Sequence, residues 1–167
     1  RRQRRLHRQD AEPLWRDLCR FPRRSDPRGT GAAPLEFIDY MGMALSDALI
    51  FVTKTLRQFE LRDQIKIMAS GKIITGFDIA KAISLGADAC YSARGMMFAL
   101  GCIQALQCDS GKCPVGIATQ DKALYKGLDI TEKSVRVANF HNNTLKAFAE
   151  FIGACGFDSP KAITPDV

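Results

Sequence analysis

Three of the six cysteines in this 167-residue chain lie within one short stretch, GCIQALQCDSGKCPVG, which covers residues 101–116. Cys102, Cys108 and Cys113 are separated by five and then four residues, and a proline follows the last of them. Thiolates at short spacing bind zinc or iron–sulfur clusters. Three thiolates suit a three-iron, four-sulfide cluster, which needs one terminal thiolate for each iron. A zinc site and three small side chains without a shared role are the alternatives.

A zinc site or a four-iron cluster would need a fourth ligand, which would have to come from Cys90, Cys155, His141 or another chain, and none of these residues is adjacent to the three cysteines. His141 lies in a predicted helix, where a solvated or core-packed histidine is commoner than a metal ligand. Cys90 lies in a predicted buried strand and has the character of a small hydrophobic residue.

Two glycine-containing turns precede the cysteines, and each follows a predicted strand. They are SGKIITG at 70–76 and YSARG at 91–95. Glycine lets backbone N–H groups approach an anion, and a helix N-terminus adds partial positive charge. Glycine that serves turn geometry alone is the alternative. The candidate contacts to an anionic cofactor or a substrate carboxylate are Ser70, Gly71, Lys72, Gly76, Ser92, Arg94 and Gly95.

The elements that must position these residues alternate between strand and helix. In chain order, the pattern predicts a helix capped by Ser46, a strand over 65–69, a helix over 77–86 ending at Gly86, a strand over 87–93, a helix over 94–107 and a long helix from Thr131 to Gly153 or Gly156. This alternation predicts an α/β protein with a parallel sheet, either a barrel or an open sheet.

The net charge of +6 arises in the N-terminal segment alone. Residues 1–28 contain ten Arg against four acidic residues, whereas residues 29–167 contain equal numbers of basic and acidic residues. A basic arm that binds nucleic acid is one interpretation. Because the segment lacks an apolar period and its composition changes abruptly after Arg28, we favour a disordered leader or sequence foreign to the domain. We therefore expect no nucleic-acid partner.

The length of the chain is that of one ordinary domain. Its apolar runs fall short of the roughly 18 residues that a membrane-spanning helix needs. No signal-peptide pattern is present, and six cysteines without export signals indicate a reducing compartment. We therefore expect a cytoplasmic protein without a membrane segment.

Three stretches together resemble the FMN-binding synthase domain of the glutamate synthase family. They are GTGAAP at 29–34, SGKIITGFDIAKAISLGADACYSARG at 70–95 and FALGCIQALQC-x4-CPVGIATQ at 98–120. The resemblance runs over residues 29–157 and implies the C-terminal part of a TIM (β/α)8 barrel, with residues 158–167 as a tail. It implies FMN and a [3Fe–4S] cluster as cofactors. Cys102, Cys108 and Cys113 then match the cluster ligands, and the two glycine-containing turns fall where the family binds FMN.

The implied reaction is the reductive formation of L-glutamate from 2-oxoglutarate and ammonia derived from glutamine. Electrons from ferredoxin or from an NAD(P)H-oxidising subunit reach FMN through the cluster, and Lys72 bears on the flavin or the substrate carboxylate. An intact barrel needs about 200 residues or more, so a partner chain that completes the barrel is expected. The alternative is a truncated, non-catalytic fragment that keeps only an iron–sulfur, metal-binding or interaction role.

Overall fold

The computed structural model describes residues 42–164. The Arg-rich segment 1–28, the GTGAAP motif and residues 165–167 lie outside the described part of the chain. In chain order the elements are α1 (Leu45–Gln58), β1 (Met68–Ser70), α2 (Gly76–Ser84), β2 (Ala89–Tyr91), α3 (Ala93–Ala99), α4 (Lys122–Tyr125), α5 (Ile130–Ala154) and a 3-10 helix (Pro160–Ala162). Helices combined with a parallel sheet confirm the predicted α/β class.

The strands β1 and β2 pair in parallel, with Met68 opposite Ala89 and Ser70 opposite Tyr91. Since α2 connects them, the three elements form a βαβ unit, and both strands end at the same edge of the sheet. The first strand starts later than the predicted range of 65–69. The reason is local, because the N–H of Ile65 bonds to the carbonyl of Leu61 in the turn that follows α1.

Two hydrophobic clusters hold the elements together. The first packs α1 and α2 against one face of the sheet, and its buried members are Leu49, Ala69, Ile73, Ala82 and Ala87. The second joins α2 to α5 through Ala80, Phe148 and Ile152. The opposite face of the sheet is open, and there the exposed fractions of Met68 and Tyr91 are 54% and 55%.

The predicted helix caps were wrong at two N-termini. Helix α1 begins after Ala44, which makes no side-chain cap, and Ser46 lies inside the first turn. Helix α5 is capped by Asp129, whose carboxylate accepts the N–H of Glu132, so Thr131 also lies inside its helix. A carboxylate interacts favourably with the positive end of the helix dipole, which favours Asp129 over the later hydroxyl.

The helix predicted over 94–107 was too long, because α3 ends at Ala99. Gly101 has a φ of 101°, a left-handed conformation that turns the chain out of the helix. In contrast, the predicted stops at Gly86 and Gly156 are confirmed, with φ values of 108° and 83°. Among residues 42–164, no helix has both the length and the apolar character required to cross a bilayer.

Candidate functional site

The turn after β1 has an unusual backbone. Gly71 has a φ of 150° and Lys72 a φ of 50°. The left-handed conformation costs a residue with a Cβ atom about 1 kcal/mol or more, and such residues cluster at ligand sites. Lys72 is half-buried in this turn, whereas Ser70 is exposed at the end of the strand. The selection of Lys72 as a candidate site residue stays a prediction, and the structure adds that its backbone is left-handed.

The start of α2 carries a capping box that the sequence interpretation missed. The Thr75 hydroxyl accepts the N–H of Asp78, and Asp78 Oδ2 accepts the N–H groups of Thr75 and Ile74 at 2.9 and 3.1 Å. Burial raises the pKa of Asp78, but these hydrogen bonds outweigh it and hold the pKa below its ordinary value. Because the carboxylate occupies this helix end, an anion would have to be bound by the preceding turn. The sequence signal that could have revealed this capping box is a threonine followed three residues later by an acidic residue.

The two glycine-containing turns are joined directly. Ser92, which precedes α3, donates its hydroxyl hydrogen to the carbonyl of Ile73 over 2.6 Å. Ile73 is buried, with an exposed fraction of 3%, so this bond satisfies a carbonyl that water does not reach freely. The two turns therefore form one continuous surface at the carboxyl edge of the sheet.

The cysteine loop begins where α3 ends. The N–H of Gly101 bonds to the carbonyl of Phe98, and the N–H of Cys102 bonds to that of Met97. This pair of bonds is the Schellman arrangement, and it fixes the backbone of Cys102 relative to the helix. Further along the loop, Gln104 and Leu106 are both left-handed, with φ values of 57° and 56°. The path between the first two cysteines is thus strained and irregular rather than helical.

Cys113 is the buried member of the three, with an exposed fraction of 7%. Burial raises the pKa of its thiol, but hydrogen bonds from four backbone N–H groups outweigh burial and lower the pKa below its ordinary value. The donors belong to Val115, Gly116, Ile117 and Ala118. These four donors follow one another in the chain, and we call this run the amide nest; its effect is to favour a Cys113 sulfur that carries negative charge.

Cys108 lies within electrostatic range of the other two cysteines. Burial is the largest cause that raises the pKa of its thiol, and repulsion from Cys102, Cys113 and Asp109 raises it further. The guanidinium of Arg94 opposes these effects. Arg94 lies in the first turn of α3, within the YSARG stretch, so this stretch and the cysteine loop are neighbours in space.

Among residues 42–164, no three Cys, His, Asp or Glu side chains form a group that could hold a metal ion. The three predicted ligands thus do not form such a group as placed: Cys108 is within electrostatic range of Cys102 and Cys113, but the sulfur atoms would have to draw closer to share a cluster. Cys90 packs against the first hydrophobic cluster, which confirms its predicted role as a small hydrophobic residue. His141 is exposed on α5 and lines an apolar groove of about 510 Å³ beside Met96 and Leu100.

Helix α5 packs against both glycine-containing turns, a contact that the sequence did not indicate. A Cβ atom at Gly76 would lie 2.5 Å from the backbone nitrogen of Phe148, and one at Gly95 would lie 3.1 Å from the ring of Phe140. Both glycines are buried. Their small size therefore lets the turns pack directly on α5, a role that turn geometry alone does not require.

A family model described as a conserved region in glutamate synthase matches residues 27–158. The glutamate synthase large subunit-like protein YerD of Bacillus subtilis is 45% identical over 132 residues, which are 79% of this chain and 25% of that protein. The archaeal glutamate synthase [NADPH] of Methanocaldococcus jannaschii is 42% identical over 135 residues, 81% of this chain and 26% of that protein. The ferredoxin-dependent glutamate synthase of Pyropia yezoensis is 34% identical over 137 residues, 81% of this chain and 9% of that protein. The chain thus spans about a quarter or less of the length of these relatives.

Proposed function

Because the chain belongs to the glutamate synthase family, we propose that it is part of an FMN-binding and iron–sulfur synthase domain. Its role would lie in the reductive formation of L-glutamate from 2-oxoglutarate and ammonia. The observation that supports this proposal best is the proximity of Arg94 to Cys108, which brings the second glycine-containing turn to the cysteine loop. A flavin site beside a thiolate site is the arrangement that this chemistry needs.

The three loop cysteines are the proposed ligands of a [3Fe–4S] cluster. The chemistry of the donors supports this assignment, since Cys108 is within electrostatic range of Cys102 and Cys113 and hydrogen bonds from amide N–H groups favour a charged sulfur at Cys113, but the loop would have to close for the three sulfur atoms to share one cluster. Hydrogen bonds to the sulfur atoms are a main determinant of cluster potentials. In this proposal the nest holds the buried ligand in its charged state and orients it before the cluster is bound.

The two joined turns are the proposed FMN site. Ser70, Gly71 and Lys72 would contribute from the first turn, and Ser92 and Arg94 from the second. Lys72 belongs to the first turn and Arg94 to the second, which the Ser92–Ile73 hydrogen bond joins, and positive charge favours an anionic cofactor or a substrate carboxylate. When bound, FMN and the cluster would supply the electron transfer that reduces an imine to an amine.

Gly76 and Gly95 were also selected as cofactor contacts. Their close approach to Phe148 and Phe140 supports a different contribution, in which their lack of a side chain lets the turns rest on α5. We propose that both residues act by positioning the turns.

The sheet is proposed to be the last two strands of a (β/α)8 barrel. The open face with Met68 and Tyr91 supports this, because strands of a barrel bury that face against other inward-pointing side chains. Further sequence or a partner chain would then supply the remaining strands. The names of two relatives point to NADPH or ferredoxin as the electron source for this family.

A second candidate function is an electron-transfer or interaction fragment without synthase activity. The observation that favours it is that Cys108 lies within electrostatic range of Cys102 and Cys113, because this role would need the cysteine loop alone. Both candidates require the cluster, but only the first requires FMN.

Anaerobic purification followed by absorption and EPR spectroscopy tests both candidates. We expect flavin bands and a three-iron signal, and Cys108→Ala should abolish the three-iron signal. Cys155→Ala is the matched control, since Cys155 is exposed at the end of α5 and far from the loop in sequence. A cluster signal without flavin would favour the second candidate. A colourless, iron-free protein would contradict both.

A further inference from the structure

The charged groups of Lys133 and Arg136 lie close to Gly101, at the turn where the cysteine loop begins. A Cβ atom at Gly101 would lie 3.8 Å from Lys133 Nζ and 3.9 Å from an Arg136 guanidinium nitrogen. Cys102 is the next residue, and adjacent Cα atoms are 3.8 Å apart, so Lys133 Nζ lies within about 9 Å of the Cys102 Cα atom. Both cations extend from the first turns of α5.

These cations share one carboxylate. Glu132 Oε1 lies 3.4 Å from Lys133 Nζ and 3.7 Å from the Arg136 guanidinium. The Glu132 side chain is 61% exposed, whereas that of Lys133 is only 17% exposed. Solvent screens the exposed carboxylate more strongly than the half-buried lysine side chain. The cluster of three side chains therefore presents positive charge to the turn.

The position of Lys133 has a clear packing cause. It lines the apolar groove together with Met96 and Leu100 on the α3 side of the groove. The methylene chain of a lysine packs along hydrophobic surface while its charged end stays at the edge. The ammonium consequently sits at the C-terminal end of α3, where a cation is favoured by the helix dipole and can approach the last carbonyls.

Helix α3 is held by α5 at both of its ends. Phe140 lies against Gly95 at the start of α3, and Lys133 with Arg136 lies against Gly101 just after its end. The two helices therefore run antiparallel along this contact. Since α3 begins in the second glycine-containing turn and ends at the cysteine loop, this contact sets the spacing between the proposed FMN and cluster sites.

We propose that Lys133 and Arg136 are positioning residues that fix the departure of the cysteine loop and impose a positive electrostatic potential on Cys102. In part this inference rests on the proposed function, because the potential would make electron uptake at a thiolate-bound cluster more favourable. The electrostatic effect itself belongs to the protein and can be measured without iron.

The test compares two alkylating reagents on the iron-free 167-residue chain. Iodoacetate carries a negative charge and iodoacetamide is neutral, but both react with the thiolate. The rate with iodoacetate divided by the rate with iodoacetamide therefore reports the electrostatic potential at the sulfur, and a positive potential raises this ratio. The rates at Cys102 are followed by mass spectrometry of its peptide. Lys133→Met and Arg136→Met should each lower the ratio at Cys102 by roughly two- to fivefold, the effect of removing one charge at about this distance in a partly hydrated site.

Three controls separate charge from structure. Lys133→Arg keeps the charge and should preserve the ratio, and Lys146→Met removes a 72% exposed lysine from the same helix and should leave it unchanged. The ratio at Cys155 should not move in any variant. Thermal unfolding is measured in parallel, and the Lys133→Arg result keeps the test decisive if Lys133→Met unfolds. An unchanged ratio in Lys133→Met or Arg136→Met, or a loss in Lys133→Arg, would overturn the inference.

A second measurement applies to the protein purified anaerobically with its cluster. The reduction potential in Lys133→Met should fall, with the equilibrium for electron uptake weakened by roughly two- to fivefold, whereas Lys146→Met should match the wild type. An equal potential in both variants would overturn the inference while the proposed function stands. If wild-type protein purified anaerobically contains no iron, but the variants still change the alkylation ratio at Cys102, the proposed function is overturned and the positioning role stands.

Discussion

The ring of Phe140 lies against the Cα atom of Gly95, so closely that an added Cβ atom would stand 3.1 Å from it. Gly76 meets the backbone of Phe148 in the same way, further along the same helix. Helix α5 is therefore the support against which both glycine-containing turns are placed. Several measurable consequences arise from this arrangement.

Gly76→Ala should destabilise the protein by about 3 kcal/mol, at the upper end of the cost of overpacking, because the new methyl group would meet backbone atoms of Phe148 that cannot rotate away. The free energy of unfolding from urea titration measures this. Gly153→Ala is the matched control, since Gly153 lies within α5 with no neighbour within 4 Å. It should stabilise the protein by about 1 kcal/mol through helix propensity. Equal effects of the two substitutions would contradict the packing role of Gly76.

Ser92→Ala should cost about 1–2 kcal/mol of stability, because the buried Ile73 carbonyl loses its 2.6 Å hydrogen bond. If the joined turns bind FMN, the same variant should also weaken FMN binding in a fluorescence titration. Ser84→Ala removes an exposed hydroxyl that bonds to the carbonyl of Lys81 within α2. This control should change stability by no more than about 0.5 kcal/mol and leave FMN binding unaltered.

If the three loop cysteines bind a cluster, Gly116→Ala should impair retention of iron although all three thiols remain. Its φ is 79°, and a Cβ atom there would lie 2.7 Å from the carbonyl of Leu124, so the turn that supplies an N–H to Cys113 has to shift. Gly111→Ala is a close control, since Gly111 has a φ of 70° but no neighbour within 4 Å. Iron per chain after gel filtration measures the difference. Equal retention in the two variants would show that the nest does not depend on this contact.

Asp88 should make the stability of the protein depend on acid pH. Burial raises the pKa of Asp88, but the N–H of Ile67 and the side chains of Arg62 and Lys66 outweigh it, so the folded-state pKa lies below the ordinary value of 3.8. The stabilisation is therefore complete well above this value and is lost as pH falls through the folded-state pKa.

In unfolding experiments across pH, Asp88→Asn should be less stable than the wild type by a constant amount above about pH 5, where the wild-type carboxylate is ionised in both states. The difference between the two proteins should shrink below about pH 4, as both the unfolded and folded carboxylates become protonated. A difference that does not change with pH would show that the carboxylate charge at Asp88 does not stabilise the fold.

The sequence predicted the elements that local rules determine. Helix α2 and its stop at Gly86 were confirmed, because a glycine after an apolar helical period leaves few alternatives. The C-terminal end of α3 and the N-terminal cap of α5 were predicted less well. At α5 the Asp129 carboxylate competed successfully with Thr131, and at α3 the left-handed Gly101 ended a helical pattern that continues in the sequence.

The arrangement of the candidate site was less accessible to sequence reasoning. Motif spacing identified the cysteines and both turns, but the Ser92–Ile73 hydrogen bond and the Gly76–Phe148 contact join residues far apart in the chain. Contacts of this kind leave no periodic signal. Spacing also did not indicate that four N–H groups converge on Cys113, because this depends on the backbone conformation after the cysteine.

Helix α5 follows both glycine-containing turns and the three loop cysteines along the sequence. During synthesis, therefore, the turns and the cysteine loop leave the ribosome before the helix that supports them. A nascent chain that ends at Asp129 contains all three thiols but lacks Phe140 and Phe148. The order of translation thus makes assembly of the site a late event, completed only when α5 has emerged and docked.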